Sequence, residues 1–428
     1  MALALLCVAQ FVVVLDVTIV AVTLPTIGAD LGMGAGRLEW IIAAYGLAFG
    51  GFLMLGGRAG DLYGRRRLFA GGLALFSAAS LACGLATSGT LLIAARAVQG
   101  LGAAALAPAA LAILTATVPA GPERDRAVAL WTAAAAGGGA LGWLLGGVLT
   151  GALGWRAVFL VNVPVGAVAL VLVRSVLAES RDPGAGRRLD VAGAVTLTLG
   201  LTALVHGLAV RTIAPLAIAV GSLAAFAVVE RRVRAPMIPP GALRSPPLLS
   251  AGAVAAVVTA TTTPPLFLCL LYVAHELHRG PFATGLMFAP VNLAVIAGSW
   301  LGPRLLARTT PARAMAVGLA AIAAGALALV AISGPASLLA PFVAMGLGIG
   351  IAATASTAAG TAATEDRQGL ASGLLNAAAQ LGTSLGLALL VSVAAGDYRR
   401  GFVGAALLAG ITALVMTRRD SPHGCPAG

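Results

Sequence analysis

The sequence predicts an all-α polytopic membrane protein that crosses the bilayer 14 times. Hydrophobic residues make up 59% of the 428 residues and charged residues only 10%, whereas soluble domains carry roughly 25% charged residues. Apolar stretches of about 20 residues, the length of a transmembrane helix, recur along the whole chain. A water-facing surface cannot be built from so few charges, so a soluble globular protein is excluded.

The 14 predicted spans follow one another with mostly short connections. In chain order they cover residues 3–27, 38–57, 68–87, 90–115, 127–150, 157–173, 191–210, 213–230, 248–273, 284–302, 314–332, 337–361, 370–395 and 401–417. Glycine, with 56 residues, is common enough to let the helix backbones pack closely in lipid.

Two long polar segments bracket the seventh and eighth spans and divide the chain into parts. We expect an N-terminal six-helix bundle over residues 1–178, cytoplasmic loops and an inserted helix pair over 179–247, a C-terminal six-helix bundle over 248–417 and a cytoplasmic tail over 418–428.

A charged segment from Gly56 to Phe69 separates the second and third spans and sets the orientation. It holds Asp61 and several arginines, and short Arg-rich loops stay on the cytoplasmic side. When the spans alternate, most of the 27 Lys and Arg residues, all of which are arginine, fall on this same side. We therefore expect both termini to face the cytoplasm. The arginines predicted to lie outside are Arg37, Arg156, Arg211, Arg279, Arg399 and Arg400.

The net charge of +12 would indicate a nucleic-acid partner in a soluble protein. Here the cations lie in loops, where they set orientation and contact anionic membrane lipid, so no nucleic-acid partner is expected. The four cysteines form no CxxC pair, and we expect neither a metal site nor any other cofactor. The sequence contains no Gly-Lys-Ser/Thr, which excludes ATP-driven transport by this chain alone.

Asp16 is a carboxylate in the middle of the first predicted span. Such a group is costly in lipid and should face the bundle interior or a wet cavity, where it could bind and release a proton. An Asp that only snorkels or packs helices together is the simpler alternative.

Arg96 is the one arginine that falls inside a predicted span. A buried guanidinium stays charged and needs a counter-charge or carbonyl partners. Asp16 is the only acidic candidate deep in the first six spans, so we expect the two side chains to interact. An arginine that only snorkels outward is the alternative.

Two of these segments resemble motifs of the major facilitator superfamily. The spacing Gly57-x-x-x-Asp61-x-x-Gly64-Arg65-Arg66 is similar to the family's loop between the second and third helices. In the family this loop caps the inward end of the bundle, and its Asp favours one conformation. A plain topology signal is the alternative.

The fourth predicted span carries the second match, Arg96-x-x-Gln99-Gly100-x-Gly102, which resembles the fourth-helix motif of the superfamily. In the family this Arg is tied to proton transfer.

The stretch around Asp16 and Thr18 resembles the first-helix motif of the drug:proton antiporters, in which the acidic residue is implicated in proton coupling.

The fifth predicted span resembles the antiporter signature of the family through Gly138, Gly142, Gly146 and Gly147. Trp143 stands where the signature has proline, which puts the family's hinge role in doubt. Glycines at four-residue spacing form a flat packing face in any case.

The segment Gly154-Trp155-Arg156-x-x-Phe159-x-x-Asn162-x-Pro164 is similar to the start of the sixth helix in 14-helix exporters. In the second half, residues 302–315 occupy the place of the charged segment 56–69 but contain no Asp. Such internal repetition is typical of transporters built from two related halves.

On these motifs the chain is identified as a member of the 14-helix drug:proton antiporter family of the major facilitator superfamily. The resemblance implies a major facilitator fold of two six-helix bundles plus an inserted pair. It also implies a proton-coupled secondary transporter that exports drug-like or antibiotic compounds across the bacterial cytoplasmic membrane. The expected partners are a small-molecule substrate, protons and membrane lipid, and the expected state is a monomer.

Two other functions remain open at this point. The chain could export or import one dedicated metabolite. A membrane-embedded enzyme or sensor usually shows His, Asp and Glu clusters at membrane depth, whereas this chain has four histidines and no such cluster, so we do not expect an enzyme.

Overall fold

The computed structural model describes residues 1–119, 121–181, 189–210, 212–233, 236, 245–362, 368–394 and 397–420. All regular structure within these residues is helical. The helices are α1 (Ala2–Leu31), α2 (Ala35–Tyr63), α3 (Arg65–Gly84), α4 (Gly89–Thr117), α5 (Pro122–Leu153), α6 (Arg156–Leu160), α7 (Asn162–Val176), α8 (Val191–Val210), α9 (Ile213–Arg232), α10 (Pro246–His275), α11 (Pro281–Leu306), α12 (Pro311–Ala328), α13 (Leu339–Ala362), α14 (Gln368–Val393) and α15 (Tyr398–Asp420). Most of the polar segment that follows the eighth predicted span, and the tail from residue 421 onward, lie outside the described residues.

The predicted all-α polytopic membrane fold is confirmed. Among the described residues, 13 segments are long and apolar enough to cross a membrane, with α6 and α7 forming one of them. The two parts of α5, Arg126–Gly139 and Leu141–Leu153, meet at 41° and bring the number to 14 when counted as one span.

The boundary between α6 and α7 has a local cause. Pro164 has no backbone N–H, so the carbonyl of Leu160 cannot receive the bond that continues an α-helix. α6 ends at Leu160, and α7 begins at Asn162. The span Arg156–Val176 therefore contains a break near its beginning.

The charged segment from Gly56 to Phe69 is not a loop, so the prediction of a loop there is wrong. α2 continues to Tyr63, α3 begins at Arg65, and Gly64 alone separates them with a φ of +110°. The 29 residues of α2 extend about 44 Å, whereas the hydrocarbon core is about 30 Å thick. Charged residues can therefore remain helical beyond the bilayer core.

The chain divides into two compact units. The first comprises residues 1–239 and 278–286, and the second comprises residues 240–277 and 287–428. In the first unit α1 packs on α5, and α4 packs on both α2 and α3. In the second unit α10 packs on α14, and α12 packs on both α13 and α15.

The inserted helices α8 and α9 attach to the first unit through α2. The rings of His206 on α8 and Trp40 on α2 meet edge to face, 5.8 Å apart. Of the described residues of α9 only Ala219 is buried. The pair is thus peripheral to the helices that enclose Asp16 and Arg96.

Candidate functional site

Asp16 lies at the centre of a hydrogen-bonded network and is fully buried. Its Oδ1 accepts from Gln99 Nε2 at 2.8 Å and from Asn162 Nδ2 at 2.9 Å. Its Oδ2 accepts from Arg96 Nη1 in a close ion pair. Three donors surround the two oxygens, which is the environment of an ionised carboxylate.

Arg96 points inward from α4, and only 1% of its side chain is exposed. Its Nε donates to the carbonyl of Ile41 at 3.0 Å, and its Nη1 also contacts Gln99 Oε1 at 2.7 Å. The guanidinium lies over the ring of Tyr45, 4.3 Å from the centroid, in a cation–π contact. The expected contact with Asp16 is present, and an Arg96 that only snorkels outward is ruled out by these inward partners.

Gln99 joins three helices through its single amide. Its Nε2 donates to Asp16 on α1 and to Ser80 Oγ on α3, the latter at 2.8 Å. Its Oε1 accepts from Arg96 and from Cys83 Sγ, the latter at 3.7 Å. Both the nitrogen and the oxygen of the amide therefore have hydrogen-bond partners, and Gln99 orients the side chains of Asp16 and Arg96.

The spacing of the fourth-helix motif explains how this geometry arises. Residues three and four apart share one face of a helix, so Arg96, Gln99 and Gly100 point toward the same neighbours. A Cβ on Gly100 would lie 2.5 Å from the carbonyl of Tyr45. The missing side chain lets α2 approach closely enough for the Ile41 carbonyl to reach Arg96.

Two polar residues of this site were not assigned a role from the sequence. Asn162 was recognised only as part of a family segment, and Tyr45 was not singled out. Both stand in apolar spans, and an isolated polar residue at membrane depth was the signal that could have identified them.

A second buried acidic residue of these helices lies near the start of α2. Glu39 on α2 is only 3% exposed, and its Oε2 has no hydrogen-bond partner among the described residues. The sequence placed Glu39 next to a span boundary, whereas α2 begins four residues earlier and neighbouring helices cover the side chain.

A second charged cluster lies at the junction of α2 and α3. Asp61 accepts two bonds from Arg65, from Nη2 at 2.8 Å and from Nε at 3.1 Å. These side chains stand one helical turn apart across Gly64. The predicted motif residues Asp61 and Arg65 are thus brought together, while Gly57 lies beside α4, where a Cβ would be 3.7 Å from Pro108.

Glu179, which the sequence analysis missed, holds this cluster to the segment that follows α7. Its Oε1 accepts from the backbone N–H of Arg66 at 3.1 Å. Its Oε2 lies 3.8 Å from Arg66 Nε and 3.7 Å from Arg67 Nε. A carboxylate at the N-terminus of α3 is favoured by the helix dipole and by unpaired N–H groups.

Gly64 makes this arrangement possible for two reasons. Its φ of +110° is a conformation that residues with a Cβ rarely adopt. A Cβ there would also lie 2.7 Å from Glu179 Oε1. No other residue type fits this position without displacing Glu179.

The glycine face predicted for α5 packs against α1. A Cβ on Gly138 would lie 2.5 Å from the carbonyl of Phe11, and one on Gly146 would lie 2.7 Å from that of Ile19. Gly142 faces Thr18, and Gly147 faces the backbone of Pro281, which belongs to the same unit. These contacts account for the glycines as packing residues.

Up to 14 candidate membrane spans among the described residues, with a buried charged network in the first unit, are typical of an integral membrane transport protein. The sequence matches the Major Facilitator Superfamily over residues 6–387, and the chain belongs to this family.

Several curated relatives of this chain are antibiotic export or resistance proteins. It is 42% identical over 411 residues to the cephamycin export protein CmcT of Amycolatopsis lactamdurans, which covers 92% of this chain and 84% of that protein. It is 40% identical over 410 residues to the puromycin resistance protein pur8 of Streptomyces alboniger, covering 91% and 80% respectively. The multidrug resistance protein Stp of Mycobacterium tuberculosis is 36% identical over 400 residues, covering 90% and 74%.

Proposed function

We propose that this chain exports drug-like or antibiotic compounds across the bacterial cytoplasmic membrane in exchange for protons. The names of relatives that match nearly its whole length support the substrate class. The single observation that carries proton coupling is the buried ion pair of Asp16 and Arg96 at membrane depth. Ionisable residues in such positions mark proton and substrate pathways.

The proton is exchanged at Asp16 in this proposal. The ionised form is held by Arg96, Gln99 and Asn162. When a proton binds, the ion pair loses its negative partner, while Arg96 keeps the Ile41 carbonyl, Gln99 and the Tyr45 ring. The two states thus differ in how tightly α1 is held to α4, and a substrate that favours one state changes proton affinity.

The cluster at the α2–α3 junction acts as a conformational latch in this proposal. Its members are Gly57, Asp61, Gly64, Arg65 and Arg66, with Glu179 as an added member. The antiporter glycines of α5 serve first as the packing face for α1. The chain works as a monomer and needs no cofactor.

Both termini are cytoplasmic in this proposal, because most arginines then lie inside. A membrane-impermeant thiol reagent should label Cys425 in opened cells and fail to label it in intact ones. Cys425→Ser is the control that identifies the labelled residue. Labelling of Cys425 in intact cells would overturn the orientation.

The test of function is transport into inverted membrane vesicles with and without an imposed proton gradient. The parent should accumulate antibiotics only with the gradient, and Asp16→Asn should not. Accumulation of one compound from a chemically varied panel would favour a dedicated exporter, which the name of the cephamycin relative supports. Gradient-independent accumulation by both proteins contradicts proton coupling.

A further inference from the structure

We propose that Asn162 is the positioning residue that holds Asp16 in both of its protonation states and thereby sets its proton affinity. This inference rests on the proposed function, because it assigns the proton to Asp16. Asn162 is 2% exposed, and its Nδ2 donates to Asp16 Oδ1 at 2.9 Å across 146 positions of the chain.

The amide of Asn162 can serve either form of the carboxyl group. Asn carries both a donor and an acceptor at the end of one short side chain. Toward the ionised carboxylate it donates through Nδ2. When a proton from water binds to Asp16 Oδ1, rotation of the Asn162 amide turns its own oxygen to accept the new O–H.

Gln99, the other amide at this oxygen, cannot make the same exchange. Its Nε2 is shared between Asp16 and Ser80, and its Oε1 accepts from Arg96. Rotation of the Gln99 amide would direct its N–H₂ group at the Arg96 cation and its oxygen away from it. Asn162 is therefore the neighbour that can change partners at no cost to the Arg96 contacts.

The charged and titratable groups around Asp16 come from three other helices. They are Arg96 on α4, Tyr45 on α2 and Cys83 on α3. From α5, Gly138 and Gly142 pack against this part of α1, and from α7 Asn162 donates to Asp16. Neither the α5 glycines nor Asn162 titrates, so a change at Asn162 adds or removes no formal charge near Asp16.

Asn162 makes its contact with Asp16 beside an irregular point of the α6–α7 span. It is the first residue of α7, directly after the break that Pro164 causes. The outer end of the same span is tied to α1 independently, since Trp155 Nε1 and Arg156 Nη1 each donate to Asp30 Oδ2 at 2.9 Å. Two contacts therefore join α1 to the α6–α7 span. The contact at Asp30 does not involve the Asp16 carboxyl, whereas the contact of Asn162 with Asp16 changes when Asp16 binds a proton.

The experiment titrates the Asp16 carboxyl directly in the purified full-length protein. Infrared difference spectra across a pH series show the C=O band of the protonated acid, and Asp16→Asn identifies the band by its loss. Asn162→Leu keeps the approximate size but removes one of three donors to the carboxylate. We expect the midpoint to move to higher pH, because the charge-assisted bond that Asn162 donates to the carboxylate is stronger than the neutral bond that it accepts from the acid.

Two further variants make the result decisive. Asn162→Ser keeps a hydroxyl donor and acceptor and should give an intermediate midpoint, and it also serves if Asn162→Leu does not fold. Arg156→Gln weakens the outer contact of the same span and should leave the midpoint unchanged. An unchanged midpoint in both Asn162 variants overturns this inference.

Substrate-induced proton release, followed with a pH dye, separates this inference from the proposed function. If the parent carboxyl titrates but no substrate releases protons, the proposed exchange fails. If the parent releases protons and the Asn162 variants do so with the parent's pH profile, the exchange stands and the role of Asn162 is wrong.

Discussion

The two units share a pattern of close helix contacts, yet the charged network of the candidate site belongs to the first alone. In the first unit a Cβ on Gly102 would lie 2.6 Å from the backbone nitrogen of Phe76. In the second a Cβ on Gly348 would lie 2.9 Å from that of Ile322. The α3–α4 pair and the α12–α13 pair are therefore packed in the same way.

The residues that precede a neighbouring pair of glycines, Gly100 and Gly346, differ between the units. Arg96 and Gln99 precede Gly100 in the first unit, whereas Phe342 and Met345 stand at the same distances before Gly346 in the second. Phe342 and Met345 are fully buried, and the Phe342 ring packs on Phe288 with centroids 4.8 Å apart. An apolar core occupies the place of the proton network.

The first helix of each unit shows the same contrast. Thr18 Oγ1 bonds the carbonyl of Gly138, and Thr259 Oγ1 bonds that of Ala379. Two residues before these threonines stand Asp16 in one unit and Val257 in the other. The repeated small residues thus specify how the helices pack, and the proton chemistry depends on a few residues that differ between the two units.

The largest effects are expected from separate substitutions of Arg96 and Phe342, which occupy equivalent positions in the two units. Arg96→Ala leaves the Asp16 charge buried without its partner, which costs about 3–5 kcal/mol of stability, and should abolish substrate-induced proton release. Arg96→Lys should recover little, because the planar fork is lost. Phe342→Ala should destabilise by a similar amount, about 3–5 kcal/mol, with the pH profile unchanged.

Thermal unfolding and dye-detected proton release measure these two effects separately. The comparison breaks if Phe342→Ala abolishes proton release in a protein that is still folded. It also breaks if Arg96→Ala retains release at the parent level.

A smaller effect is expected from Gly100→Ala and Gly346→Ala. The new methyl group would meet the Tyr45 carbonyl in the first unit and the Val291 carbonyl in the second. Each change should destabilise by about 1–3 kcal/mol through overpacking. Only Gly100→Ala should also shift the pH profile, because it pushes α2 and its Ile41 carbonyl away from Arg96.

Gly71→Ala and Gly252→Ala are the matched controls, since a Cβ at either position meets nothing within 4 Å. Both should leave stability and pH dependence close to those of the parent. An equal shift of the pH profile by Gly346→Ala would contradict the assignment of the proton to the first unit.

The difference between the units also explains what the sequence could predict. Helix positions followed from hydropathy, because an apolar stretch must cross the bilayer as a helix. The pairing of Asp16 with Arg96 followed from elimination, since a buried Arg needs a counter-charge. Asn162 and Glu179 were missed because their partners lie 146 and 113 positions away, and such contacts depend on which helices become neighbours.

The next prediction concerns Asp61, for which residues 302–315 offer no counterpart. Asp61 is 34% exposed and pairs with Arg65 one turn away, so the pair contributes only about 0.3–0.5 kcal/mol. Asp61→Asn should therefore insert and unfold like the parent but transport more slowly, because the proposed latch is weakened. Undiminished transport in vesicles would reduce the segment to a topology signal.

The last prediction concerns the two threonines that join the first and fifth helices of each unit. Thr18→Val and Thr259→Val keep the side-chain shape and remove one interhelical hydrogen bond, which contributes about 0.6 kcal/mol in membrane proteins. The Thr259 bond to Ala379 is 2.6 Å long and the Thr18 bond to Gly138 is 3.4 Å long. Thr259→Val should therefore lower the unfolding temperature more than Thr18→Val. A larger loss for Thr18→Val, or a changed pH profile, would mean that Thr18 supports Asp16 and does more than join α1 to α5.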